Sequence, residues 1–76
     1  MKAEFRENYI KMGLKIAYYR KLKNLSQEQL AEKAGLGASF IGQIEAPNTY
    51  KSFSFDTLFR IAKALDIPPS KILDFD

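Results

Sequence analysis

The chain has 76 residues, enough for one small core, so we expect a single domain over residues 1–76. It contains no Cys and no His, which excludes disulfides and an ordinary zinc site and leaves helix packing as the source of stability. The formal net charge of +3 is unevenly spread, because the segment 11–23 carries five cations and no acid. We expect this segment either to attract phosphate groups or to form a solvated, lysine-rich helix face.

The first predicted helix begins before Tyr9 and ends near Lys23. Its apolar residues recur at spacings of three and four, which places Met12, Ile16 and Tyr19 in one stripe against the core. Residues 1–8 either extend this helix or form an arm. No apolar stretch follows the first charges and no run reaches membrane-spanning length, so we expect a cytoplasmic protein without a membrane partner.

The second predicted helix has clear signals at both ends. Ser26 precedes Gln29 by three residues, the spacing of a capping box in which each side chain bonds the backbone N–H of the other. Gly35 suits the left-handed residue that follows the last turn of a helix, so we expect the helix to cover residues 27–34. Its inner face should consist of Leu30, Ala31 and Ala34.

Three more helices are predicted, and no strand-like alternation occurs, so the fold should be all-α with five helices. The third helix has Gly37 as its N-cap and ends before Pro47, and the fourth begins at Ser54. The fifth follows two prolines and covers Ser70 to about Phe75. The expected core residues are Ile41 and Ile44, then Leu58, Ile61, Ala62 and Leu65 with Phe55 and Phe59 alongside, and finally Ile72 and Leu73.

Residues 27–45, QEQLAEKAGLGASFIGQIE, resemble the helix-turn-helix of the Xre/Cro family of phage-repressor-like regulators. The resemblance continues through residues 57–65 and covers roughly residues 10–74. It implies a five-helix DNA-binding domain whose helix-turn-helix is formed by helices two and three, at about residues 26–46. Independently, two short helices joined by a tight turn cannot bury both their faces, so the third helix should protrude, as a helix that enters the major groove must.

The resemblance also assigns residues to DNA, with a recognition helix at about residues 37–46. It implies base contacts from Ala38, Ser39 and Gln43, phosphate contacts from Gln27, Gly37, Tyr50 and Lys51, and a structural ion pair between Arg20 and Glu45. Of the three residues expected to contact bases, Gln43 has the long polar side chain, which can form two hydrogen bonds with one adenine. Two features depart from the family pattern: the loop after Glu45 is about two residues longer, and Gly42 places a glycine inside a helix.

The predicted function is sequence-specific binding of double-stranded DNA by a transcriptional regulator, with no cofactor. The alternative is a protein-interaction module, antitoxin-like or regulator-binding, with weak or no DNA binding, because the base readers are few. An enzyme is not indicated, since neither a nucleophile paired with a base nor a phosphate loop is present. We expect a homodimer through the C-terminal helices, by way of Ile72, Leu73 and Phe75, and hence a pseudo-palindromic operator.

Overall fold

Five helices build residues 4–75, the part of the chain that the structure, a computed structural model, describes. They are α1 (Arg6–Leu22), α2 (Gln27–Ala34), α3 (Ala38–Glu45), α4 (Phe55–Leu65) and α5 (Ser70–Leu73). No strand occurs within residues 4–75, and the predicted all-α fold with five helices is confirmed. Of the predicted arm or helix extension, residues 6–8 belong to α1, and residues 1–3 lie outside the described residues. None of these five helices has the length and apolar character needed to span a membrane.

The core lies between all five helices. Each helix contributes at least one side chain with essentially no exposed surface, and these are Ile16, Leu30, Ile41, Leu58, Ile61, Leu65 and Ile72. α4 supplies three of them because its apolar residues recur at spacings that turn one face of the helix inward. α3 packs against both α1 and α2 through its inner face, which leaves its other face outside the core.

The ends of α2 are those that the sequence predicts. The Ser26 hydroxyl accepts a hydrogen bond from the Gln29 backbone N–H at 3.0 Å, and the Gln29 side chain accepts one from the Ser26 backbone N–H at 2.8 Å. Gly35 ends the helix with φ of 71°, in the left-handed region where glycine carries no steric penalty. These local signals fix where the turn to α3 begins.

Two aromatic residues predicted to lie alongside the core are instead exposed. Phe55 and Phe59 are 68% and 55% exposed, and their rings stack on each other with centroids 6.0 Å apart. The reason is the helical rotation of about 100° per residue. It carries both rings past the edge of the inward face marked by Leu58 and Ile61, so the apolar arc of α4 is wider than the surface that its neighbours cover.

The fifth helix is shorter than predicted, ending at Leu73 instead of near Phe75. A single turn has room for one inward residue, and Ile72 occupies that position with no exposed surface. Leu73, predicted to be buried, is therefore 43% exposed. Ile72 belongs to the core of its own chain, so the predicted contribution of its side chain to a dimer interface is wrong for this fold.

Candidate nucleic-acid interface

The turn between α2 and α3 sets the angle of the third helix. Gly35 directs the chain out of α2, and the Leu36 backbone N–H donates to the Ala31 carbonyl at 2.8 Å, which closes the turn. Gly37 then precedes α3 in an extended conformation. Because Ile41 and Ile44 face the core, the opposite side of α3 is presented to solvent.

The three predicted base readers all lie on α3. Ser39 and Gln43, one helical turn apart, are exposed, and Ala38 at the first turn is half-buried. Gly42 lies on the flank of this exposed face and is also half-buried. Ser39 and Gln43 therefore present a short hydroxyl and a long amide along one side of the helix, whereas Ala38 lies at the border of that side and packs against the core.

The backbone of α3 lies directly against α1 at Gly13. A Cβ atom at position 13 would overlap the carbonyl oxygen of Ile44, so a residue with a side chain cannot occupy this position without a shift of the two helices. This contact sets how far α3 sits from the core. Sequence reasoning missed Gly13, although a glycine in the interior of a long helix, where it costs roughly 1 kcal/mol relative to Ala, is a signal of close packing.

Arg20 and Glu45 form a buried, two-pronged ion pair that joins α1 to the end of α3. The Arg20 Nε donates to one carboxylate oxygen of Glu45 at 2.8 Å and Nη2 donates to the other at 2.9 Å. Nη1 donates to the Leu25 carbonyl oxygen at 2.7 Å, so the same guanidinium also holds the segment that leads into α2. The hydrogen bonds to Glu45 raise the pKa of Arg20 above its ordinary value, and the guanidinium remains charged at any physiological pH.

Gln27 joins this ion pair from the start of α2. Its Nε2 donates to Oε1 of Glu45 at 3.1 Å, and its carbonyl oxygen lies 3.5 Å from the position of a Cβ atom at Gly42. The side chain predicted to contact phosphate thus lies between the first turn of α2 and the exposed flank of α3. Glu45 accepts from both Arg20 and Gln27, which locks three elements at the base of the exposed face.

The loop between α3 and α4 is held by aromatic contacts. The rings of Tyr50 and Phe53 both meet the ring of Tyr9 on α1 edge to face, at 5.8 and 5.3 Å. Lys51 lies in the same loop, and its Nζ is 5.7 Å from the centre of the ring of Phe40 on α3, a cation–π distance. Tyr50 and Lys51, predicted to contact phosphate, therefore diverge: the first packs towards α1 and the second lies beside α3. Sequence reasoning did not anticipate the role of Phe40.

This geometry defines a helix-turn-helix domain, with a second helix held by its neighbours and a third whose outer face is free of them. Residues 16–72 match the model of the helix-turn-helix family HTH_3. The chain belongs to this family, and the resemblance to Xre-like regulators is confirmed.

Named relatives are regulators and controller proteins, not enzymes. The control protein C.SmaI of Serratia marcescens is 44% identical over 55 residues, and the regulator SinR of Bacillus subtilis is 36% identical over 63 residues. These alignments cover 72% and 83% of this chain but only 63% and 56% of the two relatives, so the chain spans less than two thirds of each.

Solved structures show the same fold. The controller protein C.AhdI of Aeromonas hydrophila superposes with a TM-score of 0.80 at 33% identity, covering 87% of this chain and 97% of that one. SinR, solved in complex with DNA, superposes with a TM-score of 0.76 at 36% identity, covering 83% and 98%.

Proposed function

We propose that this chain binds double-stranded DNA in a sequence-specific manner, as a transcriptional regulator, with α3 in the major groove. The observation that carries this proposal is the outer face of α3, where Ser39 and Gln43 are exposed while the inner face is fixed by the core, Gly13 and the Arg20–Glu45 pair. A rigid helix with polar side chains on its free face is the element that reads base edges in this fold. The complex of SinR with DNA supports the proposal by similarity.

We assign base contacts to Gln43, Ser39 and Ala38. Gln43 can form hydrogen bonds with the N6 and N7 atoms of adenine at once. The hydroxyl of Ser39 can bond more than one type of base, and the methyl group of Ala38 can contact thymine. The face has no Arg or Lys to bond guanine.

We assign phosphate contacts to the two borders of this face. On one border lie the first turn of α2, with Gln27, and the start of α3 at Gly37. Helix N-termini present backbone N–H groups to a phosphate. On the other border lies Lys51, whose ammonium group is held beside α3 by the ring of Phe40. Tyr50, 40% exposed, can donate its hydroxyl to a phosphate while its ring rests on Tyr9.

We further propose that the functional unit is a homodimer formed through the C-terminal segment, with a pseudo-palindromic operator. Phe55, Leu73 and Phe75 line one apolar groove of about 420 Å³ next to α5, and two of them are strongly exposed. Burial of such a surface favours association of two copies. Sedimentation at micromolar concentration tests this proposal, with Leu73→Ser expected to lower the dimer fraction. A sedimentation profile that is monomeric both free and on DNA would contradict it.

Titration against a labelled duplex of mixed sequence tests DNA binding itself. We expect association at low salt that weakens steeply as salt is raised, because Lys and Arg side chains release condensed counterions from the phosphates. If association did not depend on salt, the alternative would be favoured, a protein-interaction module. The small number of base-contacting residues on α3 is the feature that motivates this alternative. By similarity to regulators of bacteria, whose DNA lies in the cytoplasm, we infer that the protein acts there.

A further inference from the structure

The outer face of α1 presents a line of large apolar side chains to solvent. Leu14, Tyr18 and Leu22 follow one another at a spacing of four residues, so they lie along one side of the helix. Their exposed fractions are 46%, 57% and 59%. These three residues, which we call the α1 stripe, belong neither to the buried core nor to the proposed DNA interface, and Tyr18 meets the ring of Tyr19 edge to face at 5.0 Å. Single apolar residues on a surface are common and need no explanation. Three that lie side by side form a contiguous apolar patch, which is typical of an interaction site.

Lysines flank the α1 stripe. Lys11 and Lys15 precede and follow Leu14, and both line a shallow groove with Leu14, Tyr18 and Phe75, so this groove borders the proposed dimer surface at Phe75. No acid occurs between Glu7 and Glu28, and Glu7 itself is paired with Arg6 at 3.7 Å. Lys11 lies in line with the stripe at its N-terminal end and Lys15 lies beside it, so the apolar surface carries positive charge at one end and along one side.

The α1 stripe lies on the side of α1 that faces away from α3. Gly13 and Arg20 contact α3 directly, and at about 100° of rotation per residue Tyr18 and Leu22 lie nearly opposite those two positions. A molecule bound to the stripe would therefore not occupy the outer face of α3. Occupation of the stripe and of the proposed DNA interface are compatible.

We propose that the α1 stripe is a docking site for an acidic amphipathic helix of a partner protein. Apolar residues on one face of such a helix would cover Leu14, Tyr18 and Leu22, and flanking carboxylates would meet Lys11 and Lys15. A second copy of this chain is disfavoured because two α1 faces would bring like charges together. A nucleic acid is disfavoured because the centre of the face is apolar, which phosphates do not match.

A designed pair of helical peptides tests the proposal. One peptide carries leucines at a spacing of four residues flanked by glutamates, and the other has lysine in place of each glutamate. Both are labelled and titrated with the full chain at low salt, followed by fluorescence anisotropy. We expect the acidic peptide to bind about tenfold more tightly or better, and the double variant Lys11→Glu/Lys15→Glu to reverse that preference.

Substitutions at exposed residues locate the site and leave the buried core unchanged. Tyr18→Ser should weaken binding of the acidic peptide by about tenfold. The matched control is Phe59→Ser, which removes an aromatic ring of similar exposure from α4 and should leave binding of the peptide unchanged. Circular dichroism checks that both variants retain their helices.

Three results would overturn the proposal. The first is equal affinity for the two peptides or no effect of Tyr18→Ser, which would leave the stripe without the proposed partner. The second is an oligomer that Tyr18→Ser abolishes, which would assign the face to a second copy. The third is loss of duplex binding in Tyr18→Ser, which would assign it to nucleic acid. Because peptide binding is measured without DNA, failure of the DNA proposal would leave this test intact.

Discussion

At the scale of single residues, Arg20 and Glu45 join two buried charges through two hydrogen bonds. Both residues are more than nine-tenths buried, and the carboxylate accepts hydrogen bonds from Arg20 and Gln27. A buried ion pair of this kind adds little compared with apolar residues of the same shape, because both charges lose their hydration. Loss of one partner is a different matter, since the other charge then stays buried and uncompensated.

We therefore expect Glu45→Ala to lower the free energy of unfolding by about 3 to 5 kcal/mol, measured by urea denaturation. The double variant Arg20→Met/Glu45→Leu should recover most of that loss. The matched control is the exposed pair of Asp56 and Arg60 on α4, where Asp56→Ala should change stability by about 1 kcal/mol or less. If Glu45→Ala lowered the free energy of unfolding no more than Asp56→Ala, the buried ion pair would not hold α1 and α3 together as we describe.

The pH dependence of this pair follows from the raised pKa of Arg20. A raised pKa in the folded state means that the contribution of the charged form is complete below the ordinary pKa of an arginine and is lost only as pH rises through the folded value. We expect no change of stability from Arg20 across the neutral range. A titration of unfolding free energy between mildly acidic and mildly basic pH, comparing the chain with Arg20→Met/Glu45→Leu, measures this.

Base contacts and phosphate contacts should separate on mutation. Gln43→Ala should reduce discrimination at one or two base pairs per half-site by about 1 to 3 kcal/mol, because the amide is the long polar reader on α3. Lys51→Ala should weaken binding to all sequences alike and lower the slope of log affinity against log salt by about 1. Competition binding with single-base operator variants measures both effects. An unchanged sequence preference in Gln43→Ala would place the recognition surface elsewhere.

At the scale of elements, the crossing of α1 and α3 depends on a residue without a side chain. Gly13 brings the two helices into backbone contact, whereas Gly42, on the exposed flank of α3, has only an ordinary contact with Gln27. Two glycines inside helices therefore serve different purposes. Close approach requires the first, and the fold does not require the second.

Alanine substitution at these two positions should have opposite effects on stability. Gly13→Ala should destabilise the chain by about 1 to 3 kcal/mol, because the overlap with the Ile44 carbonyl outweighs the better helix propensity of alanine. Gly42→Ala should stabilise the chain by up to about 1 kcal/mol, because the helix gains propensity and the new methyl group has space. Thermal or urea denaturation measures both variants. Equal effects of the same sign would contradict the close crossing at Gly13.

At the scale of the whole molecule, the composition of the exposed face of α3 limits how much sequence it can read directly. Without Arg or Lys on that face, part of the specificity should come from the shape of the DNA. In the proposed dimer, two recognition helices would bind half-sites about one helical turn apart and leave a central spacer uncontacted. The cost of bending or narrowing that spacer differs between sequences.

We expect operator affinity to change with the spacer sequence at fixed length and fixed salt. Spacers made of A-tract, mixed and G·C-rich steps should give different dissociation constants, since closing both subunits onto the groove deforms them by different amounts. The control is a set of duplexes with the same spacers and scrambled half-sites, which should bind alike. Identical affinities across the three spacers would leave Gln43 and Ser39 with nearly all the discrimination.

The amino-acid sequence by itself predicted the features that depend on neighbours along the chain. The capping box of Ser26 and Gln29, the left-handed Gly35 and the Ser54 cap of α4 are all found, because each is decided within one helical turn. The sequence likewise predicted the periodic burial of α4 and the family motif over α2 and α3. The all-α fold and the placement of Ser39 and Gln43 on one face follow from these local rules.

Only the tertiary structure decided the features that depend on which elements meet. How much of an apolar face is covered depends on the size of its neighbours, so Phe55, Phe59 and Leu73 are exposed although their residue types favour burial. The approach of α1 to α3 at Gly13 and the bond from Gln27 to Glu45 join residues far apart in the chain. No periodicity encodes such contacts, because they arise when side chains from separate helices fill the same space.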